Sequence, residues 1–195
     1  TMHRLINLGT KITFLLMLAI SVPIMFECDY IMTLWLKTPP AHTSQLVVLA
    51  LINVNVSSFT YFLYQGVHAT GNVTRQQTAF SLLYVSNIAL IYFLFKLGFN
   101  YTSGLYVTIG ISVLQCILNL YYAKETFSYN INHFFVDIVL RCAVVTFVFY
   151  VLFQLLTTVV EPSFLRLLLS LMLSFVLSIL LGMYVLLSVG ERKTV

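Results

Sequence analysis

Long segments without a charged residue follow one another along this chain, each bounded by single charges. Arg75 and Lys96 enclose 20 uncharged residues, Lys96 and Lys124 enclose 27, and the stretches 142–160 and 167–190 are also uncharged. A helix needs about 20 apolar residues to cross the hydrocarbon core of a bilayer. Because backbone polar groups in lipid must be bonded within the segment, the sequence predicts an all-α integral membrane protein.

Composition agrees with a membrane location. Hydrophobic residues make up 60% of the chain and charged residues 8%, whereas soluble domains carry about 25% charged residues. The basic excess contains no long run of adjacent Lys or Arg, so we expect no nucleic-acid partner. The three cysteines are widely spaced, which predicts neither a zinc site nor a redox pair.

The apolar segments predict six transmembrane helices joined by short loops. Their predicted ranges are 9–26, 43–67, 76–95, 102–123, 138–160 and 163–189. Residues 31–36 are expected to continue along the membrane surface, with Trp35 at the interface. We divide the chain into residues 1–125, which hold four helices, and residues 126–195, which hold the terminal helix pair and the C-terminus.

Basic residues in the loops predict the orientation of the spans. One side of the predicted bundle holds seven of them: Arg4, Lys11, Arg75, Lys124, Arg141, Arg192 and Lys193. The other side holds three: Lys37, Lys96 and Arg166. Because cytoplasmic loops are the richer in Lys and Arg, we expect both termini to be cytoplasmic.

Isolated charges near the predicted helix ends are interpreted as surface groups. We expect Arg141 to extend to the cytoplasmic headgroups. We expect Glu27 and Asp29 to be an interfacial surface pair, and the alternative is that they cap the outer rim or bind a cation. No Lys or Arg is predicted to be buried in the helices. The histidines lack metal-ligand spacing, so we expect no metal and no cofactor. A coupling ion, H⁺ or Na⁺, is left open.

Polar side chains follow one face of two predicted helices. The second helix carries Asn53, Ser57, Thr60 and Tyr64, and the fourth carries Thr108, Ser112, Gln115 and Asn119. Steps of three and four residues place each set on one helical face. Such residues either bond to neighbouring helices or line a wet cavity. Both alternatives stay open, and we name these eight residues as candidates for a substrate cavity.

Small residues recur every four positions in the sixth predicted helix. They are Ser170, Ser174, Ser178 and Gly182. This spacing allows two helix backbones to approach closely. We therefore predict a packing face, most simply against the fifth helix, with both terminal helices at the periphery of the bundle.

Three short motifs occur in order along the first part of the chain. They are the proline-bearing stretch 11–24 followed by Tyr30-Ile31-Met32-Thr33-Leu34-Trp35-Leu36, the turn Ala69-Thr70-Gly71-Asn72-Val73-Thr74-Arg75, and Leu97-Gly98 with Gly104-Leu105 and Ser112. Their order and spacing resemble those of O-antigen and polysaccharide (Wzx-type) flippases of the MATE-like exporter superfamily. The resemblance covers about residues 5–125, and the last two helices fit the additional terminal pair of fourteen-helix members.

This resemblance implies that the chain is part of the C-terminal lobe of a MATE-like transporter with twelve to fourteen helices. The implied activity is the flipping of undecaprenyl-diphosphate-linked oligosaccharide across the bacterial inner membrane by alternating access. The implied partners are membrane lipid, the lipid-linked oligosaccharide and the N-terminal lobe of the same transporter. The turn at Gly71 and Arg75 would be a cytoplasmic loop or hinge, and cations that hold the diphosphate would lie in the other lobe.

Two further functions stay open. A multidrug or cation antiporter of the same superfamily would need an ionisable cavity residue, which the predicted helices lack. A non-transporting membrane scaffold or accessory protein would need only the six helices. We expect no enzyme activity, because no nucleophile is paired with a base in the sequence.

Overall fold

The structure of the chain, a computed structural model, describes residues 2–186. Its helices are α1 (Met2–Phe26), α2 (Cys28–Leu36), α3 (Thr43–Ser58), α4 (Tyr61–Ala69), α5 (Thr74–Lys96), α6 (Thr102–Phe127), α7 (Ile131–Val159) and α8 (Phe164–Leu186). π-helical turns occupy Phe134–Val139 within α7 and Gly182–Leu186 within α8. The predicted end of the sixth helix and the basic residues Arg192 and Lys193 lie outside the described residues.

Five helices, α1, α5, α6, α7 and α8, are long and apolar enough to cross a membrane. The helices α3 and α4 are bent by 42° relative to each other, and they add a sixth span if they cross together. The prediction of a helical protein of the membrane type is therefore confirmed for the described residues. The second predicted helix, however, is broken where the sequence analysis expected it to be continuous.

The break follows Ser58, where the sequence has neither proline nor glycine. The Ser57 hydroxyl donates to the Asn53 carbonyl oxygen at 3.0 Å. The Ser58 hydroxyl donates to the Asn55 carbonyl oxygen at 2.7 Å. Serine side chains that bond back to their own helix compete with the backbone and bend it. Two consecutive serines of this kind account for a bend that a count of apolar residues does not reveal.

Pro23 in α1 leaves one backbone carbonyl without its usual helical donor. Because proline has no N–H, the carbonyl oxygen of Ala19, four residues earlier, loses its intrahelical hydrogen bond. The Ser174 hydroxyl of α8 donates to this oxygen at 2.6 Å, and Ser174 is fully buried. The neighbouring helix therefore supplies the missing donor, which is how a proline is tolerated inside a membrane span.

α1 is the central helix of the bundle. In its most apolar stretch 56% of the residues are buried, compared with 28% or fewer in the other four single-helix spans. α1 packs against α3, α4, α7 and α8, whereas α6 packs against α3, α4 and α5. The structure is thus organised around two helices, with α3 and α4 in contact with both.

The small-residue stripe of α8 faces α1, so the predicted partner, the fifth helix, is wrong. Ser170 and Ser174 are fully buried. A Cβ atom on Gly182 would lie 2.8 Å from the Leu15 Cδ1 atom of α1. Ser178 is only partly buried, and its hydroxyl donates to the Ser174 carbonyl oxygen of its own helix. The spacing indicates a packing face correctly, but it cannot say which neighbour packs there.

A buried charge network lies between α1 and α7, where none was predicted. The Lys11 Nζ atom is 2.7 Å from the Asp137 Oδ2 atom, and the Lys11 side chain is fully buried. Arg141 binds the other oxygen of Asp137 at 2.9 Å and also donates to the carbonyl oxygens of Val185 and Leu186. The prediction of a surface Lys11 is wrong because α1 begins at Met2, which places position 11 well inside the helix. Arg141 is therefore bound to groups of α7 and α8. The prediction that it simply extends to the lipid headgroups is incomplete.

A second buried ion pair joins the opposite end of α1 to the start of α8. The Glu27 Oε2 atom accepts a hydrogen bond from Arg166 at 2.7 Å, and their side chains are 0% and 7% exposed. Arg166 also donates to the Val160 carbonyl oxygen at 2.8 Å. Glu27 is therefore not an interfacial partner of Asp29, and both the prediction of that pair and the prediction of no buried cation are corrected.

Successive spans alternate in direction along the chain, so that α1 and α7 run parallel to each other. The His3 ring nitrogen donates to the Phe127 carbonyl oxygen at 3.1 Å, which joins the start of α1 to the end of α6. Arg75 at the start of α5 pairs with Glu125 near the end of α6 at 2.9 Å. The sequence analysis assigns the charged residues of α1, α5 and α6 to one side of the membrane. These contacts place those residues at the same end of the bundle. That this end is cytoplasmic stays a prediction.

Glu27→Gln is expected to destabilise the purified chain by about 3–5 kcal/mol, because it leaves the buried Arg166 guanidinium without a carboxylate. The matched control is Glu125→Gln, which breaks the exposed pair with Arg75 and should cost about 0–1 kcal/mol. Thermal unfolding in detergent measures both. Equal losses for the two variants would contradict a structural role for the buried pair.

Ser174→Ala is expected to cost about 1–3 kcal/mol, because the Ala19 carbonyl oxygen then loses the donor that replaces the missing N–H of Pro23. Pro23→Ala restores an N–H at position 23, so Ser174→Ala should cost much less in that background. A double-mutant cycle on unfolding in detergent measures the coupling between the two sites. Additive effects would show that the Ser174 hydroxyl does not replace the helical donor.

Candidate functional site

A polar groove with a volume of about 280 Å³ lies between α3, α4, α5 and α6. Six of the eight residues named as cavity candidates line it: Ser57, Thr60, Tyr64, Ser112, Gln115 and Asn119. The remaining two have other positions. Asn53 is not part of the groove lining, and its Oδ1 atom accepts a hydrogen bond from Ser112 at 2.7 Å. Thr108 donates to the Gly104 carbonyl oxygen of its own helix at 2.9 Å. The two predicted stripes therefore meet along most of their length.

A chain of hydrogen bonds runs from α5 through α6 to the break between α3 and α4. Gln76 Nε2 donates to Asn119 Oδ1 at 2.8 Å, and Asn119 Nδ2 donates to Thr60 Oγ1 at 3.0 Å. The Thr60 hydroxyl donates to the Cys116 sulfur, whose S–H donates to the Val56 carbonyl oxygen at 3.4 Å. Side chains of α5 and α6 thus help to hold the bend between α3 and α4. These polar atoms are bonded mainly to one another within the protein.

Tyr64 is one of the aromatic residues that line the groove. Its ring stacks on Phe80, with the centroids 5.8 Å apart and the planes 11° apart. Gln77 Nε2 donates to the Tyr64 hydroxyl at 2.8 Å and lies 3.1 Å from the His68 ring. The His68 ring packs against the Tyr64 ring, with the centroids 4.1 Å apart. These contacts fix the orientation of the tyrosine ring at one edge of the groove.

Two amide atoms near the groove lack a hydrogen-bond partner among the described residues. The Nε2 atom of Gln115 and the Oε1 atom of Gln76 are buried without a hydrogen bond. Gln115 lines the groove directly, and Gln76 is joined to it through Asn119. Buried polar atoms without a partner cost free energy, so an unoccupied donor and acceptor favour binding of a hydrogen-bonding group. Of the two, only the Gln115 donor belongs to the groove lining, so the groove offers this donor to a ligand.

The groove lining, as far as the described residues form it, carries no charged side chain. Amides, hydroxyls and tyrosine rings can bind a neutral group that bears hydroxyls. They cannot balance the charge of a diphosphate. The volume lies just below the range of about 300–1,000 Å³ for sites that enclose a small molecule. The groove alone can therefore hold one small polar unit and not a whole oligosaccharide.

A polar cluster that the sequence analysis missed lies between α1 and α7. The Tyr129 hydroxyl donates to Asn7 Oδ1, and Asn7 Nδ2 is 3.5 Å from the His133 ring. Burial raises the pKa of Tyr129, and the negative charge of Asp137 raises it further. Tyr129 therefore remains a hydrogen-bond donor at neutral pH. Asp137 joins this cluster to the buried ion pair with Lys11.

The missed residues have a sequence signal in their spacing. Asn7 and Lys11 are four residues apart, and His133, Asp137 and Arg141 repeat the same step. A step of four places residues on one helical face. Their position near the edges of the apolar segments favoured an interpretation as loop or interface residues. Gln76 and Cys116 were missed for other reasons. Gln76 lies at the predicted start of a helix, and Cys116 was counted as an apolar residue.

The predicted cytoplasmic turn is a tight connection between α4 and α5. Gly71 has a φ of +79°, which an L-residue with a Cβ rarely adopts. Arg75 pairs with Glu125, and its carbonyl oxygen accepts a hydrogen bond from Tyr122 at 3.4 Å. The turn therefore ties the start of α5 to the end of α6. Its proposed role as a hinge stays a prediction.

Comparison with known proteins gives no relative of this chain. No family model matches it, and no match was found among curated proteins or solved structures. The resemblance to the MATE-like exporter superfamily therefore rests on the motifs of the sequence alone.

Asn119→Leu is expected to destabilise the chain by about 1–3 kcal/mol, because the Gln76 amide loses its buried acceptor and Thr60 loses a donor. The matched control is Ser86→Ala, which removes a hydroxyl bonded only to its own helix on an exposed face. Thermal unfolding in detergent measures both variants. A loss no larger for Asn119→Leu than for Ser86→Ala would contradict the interhelical chain.

Proposed function

We propose that this chain forms part of a bacterial inner-membrane transporter that flips undecaprenyl-diphosphate-linked oligosaccharide by alternating access. The observation that carries the proposal is the uncharged, hydrogen-bonding groove between apolar membrane-type helices. Polar groups in a span are costly and are retained mainly where they bind one another or line a substrate path. The motif resemblance supplies the substrate class, and the groove supplies a surface that suits it.

The chemistry of the groove suits a sugar. A sugar hydroxyl can accept a hydrogen bond from the unpartnered Gln115 donor and can bond to the hydroxyls that line the groove. The rim carries further hydroxyls on Ser57, Tyr61 and Tyr84, all of which are exposed. We therefore assign the groove to one sugar unit of the oligosaccharide.

A second helical lobe would complete the cavity. The exposed hydroxyls at the rim would be costly if they faced hydrocarbon, so they favour a polar or protein environment on that side. The buried cations Lys11 and Arg166 are bound to carboxylates away from the groove. In this proposal the diphosphate is held by the other lobe, and this chain contributes part of the sugar-facing wall.

A membrane scaffold or accessory protein is the second candidate. It is favoured by the extent to which the polar residues bond to one another, as in the chain from Gln76 to Val56. The antiporter alternative is less favoured, because it requires an ionisable residue in the cavity and none lines the described groove. The two leading candidates differ in whether substitutions in the groove change transport or only stability.

Loss of the chain in its bacterial host should leave lipid-linked oligosaccharide in the inner leaflet of the inner membrane. A membrane-impermeant sugar-oxidising reagent applied to spheroplasts measures the accessible fraction. Gln115→Leu should reduce this fraction, whereas Tyr92→Leu, a change on an exposed face of α5, should not. An unchanged leaflet distribution after loss of the chain would reject the flippase. Equal effects of the two variants would favour the scaffold.

A further inference from the structure

A groove with a volume of about 560 Å³ lies between the end of α6 and the start of α7, and we call it the α6–α7 groove. Residues 128–130 connect these two helices. Along α6 the lining runs from Lys124, in the last turn, to Ile117, which lies about 10 Å deeper at a rise of about 1.5 Å per residue. Because both spans end at the connection, one end of the groove is at the membrane surface and the other is in the hydrocarbon.

The deep part of the α6–α7 groove is apolar. Ile117 and Leu120 of α6 line it together with Ile131 and Phe135 of α7. The helices α6 and α7 do not pack extensively on each other, which leaves the space between them open. In a bilayer, apolar side chains that are exposed at this depth contact the acyl chains of lipids. The deep part therefore accepts the chain of any lipid, and a preference for one lipid has to come from the rim.

The rim of the α6–α7 groove carries two polar side chains at the depth of the lipid headgroups. Lys124 and Tyr121 are three residues apart, so they lie on one face of α6. Both are exposed, and neither forms a hydrogen bond or an ion pair with another side chain of residues 2–186. The Lys124 ammonium group is a donor only, and the Tyr121 hydroxyl can also donate. The rim therefore offers donors and a positive charge to an anionic acceptor.

The carboxylate of the same turn is already bound to a cation. Glu125 also lines the α6–α7 groove, and its Oε1 atom accepts a hydrogen bond from Arg75 of α5 at 2.9 Å. Tyr121 and Glu125 line a neighbouring groove between α5 and α6 as well, and Arg75 is part of that lining. Arg75 is 76% exposed, which leaves guanidinium donors accessible beside the rim. Two cations and one carboxylate thus surround the last turn of α6, and their net charge is positive.

The order of these groups along the α6–α7 groove matches the order of groups in a phospholipid. The cations lie at the membrane surface, where the phosphate is, and the apolar lining lies deeper, where the acyl chain is. A zwitterionic lipid would place its own ammonium group beside the cations of the rim. An acidic phospholipid with an uncharged alcohol brings only the negative phosphate, and basic residues next to a span attract such lipids. Charge complementarity therefore favours an acidic headgroup.

We propose that the end of α6 is a binding site for an acidic phospholipid. Its phosphate is bound by the Lys124 ammonium group and the Tyr121 hydroxyl, beside the guanidinium of Arg75, and one of its acyl chains lies in the α6–α7 groove. The headgroup gives the site its selectivity, because only the rim distinguishes one phospholipid from another. This inference requires that the helices lie in a bilayer with this end at its surface, and it does not depend on the proposed transport function.

The test uses the purified chain in phosphatidylcholine nanodiscs that contain a small fraction of a photoreactive lipid. The photoreactive lipid is phosphatidylglycerol in one sample and phosphatidylcholine in the other, with a diazirine at the same position of one acyl chain. After illumination, mass spectrometry locates the labelled residues. Labelling of Leu120, Ile131 and Phe135 is expected to be about fivefold higher with phosphatidylglycerol, which is the effect of about one cation at a membrane surface. Lys124→Gln should make the two lipids nearly equal, and Lys124→Arg should keep the difference.

The matched control is Lys96→Gln. Lys96 is also an exposed lysine in the last turn of a span, but it does not line the α6–α7 groove. This variant should leave the ratio between the two lipids unchanged. Equal labelling of the unaltered chain by the two lipids would overturn the proposal, as would equal effects of Lys124→Gln and Lys96→Gln. Cross-links between two protein chains at these residues would also overturn it, because they would assign the groove to a second copy.

Discussion

The polar interactions of α1 inside the bundle are what the rest of the structure depends on. Between apolar helices in lipid the hydrophobic effect gives little preference for one neighbour over another, since lipid tails are as apolar as Leu. Lys11 binds Asp137 of α7, the Ala19 carbonyl binds Ser174 of α8, and Glu27 binds Arg166 of α8. These three contacts lie about 12 Å apart along the helix axis, given a rise of about 1.5 Å per residue. They fix where α7 and α8 pack around α1 and how far they are shifted along its axis. The apolar contacts then fill the remaining space.

The helix α3 lies between two environments of opposite character. One of its faces carries Asn53 and Ser57, which belong to the polar side with α6. The other carries Ile52 and Val56, which line a mostly apolar cavity between α1, α3 and α7. The break after Ser58 lies where both faces end. An ordinary amphipathic helix has one apolar face toward the protein core and one polar face toward water. The two faces of α3 instead suit a helix between a hydrated or ligand-filled space and hydrocarbon.

The sequence was sufficient for those features that depend on local pattern. The lengths of uncharged segments predicted the helices, and steps of three and four predicted which residues of α3, α4 and α6 meet at the groove. It was insufficient where a residue's environment is set by a distant segment. Lys11 and Asp137 are separated by more than a hundred residues, so their pairing depends on how α7 packs on α1. The partner of the α8 stripe was mispredicted for the same reason. The bend after Ser58 was missed because serine back-bonding is decided by local geometry that apolar content does not record.

The distribution of charge inside the bundle has a consequence for the proposed activity. Lys11, Asp137, Glu27 and Arg166 are bound in ion pairs that hold helices together. Removing one partner to free its charge for a ligand would leave the other buried and uncompensated, at a cost of several kcal/mol. These groups are therefore poorly suited to bind and release a diphosphate in each transport cycle. The neutral groove can exchange one hydrogen-bonding group for another at a much smaller cost. Under the proposed function, this chain would contact the sugar, and the charges that bind the anionic part of the substrate would come from the other lobe.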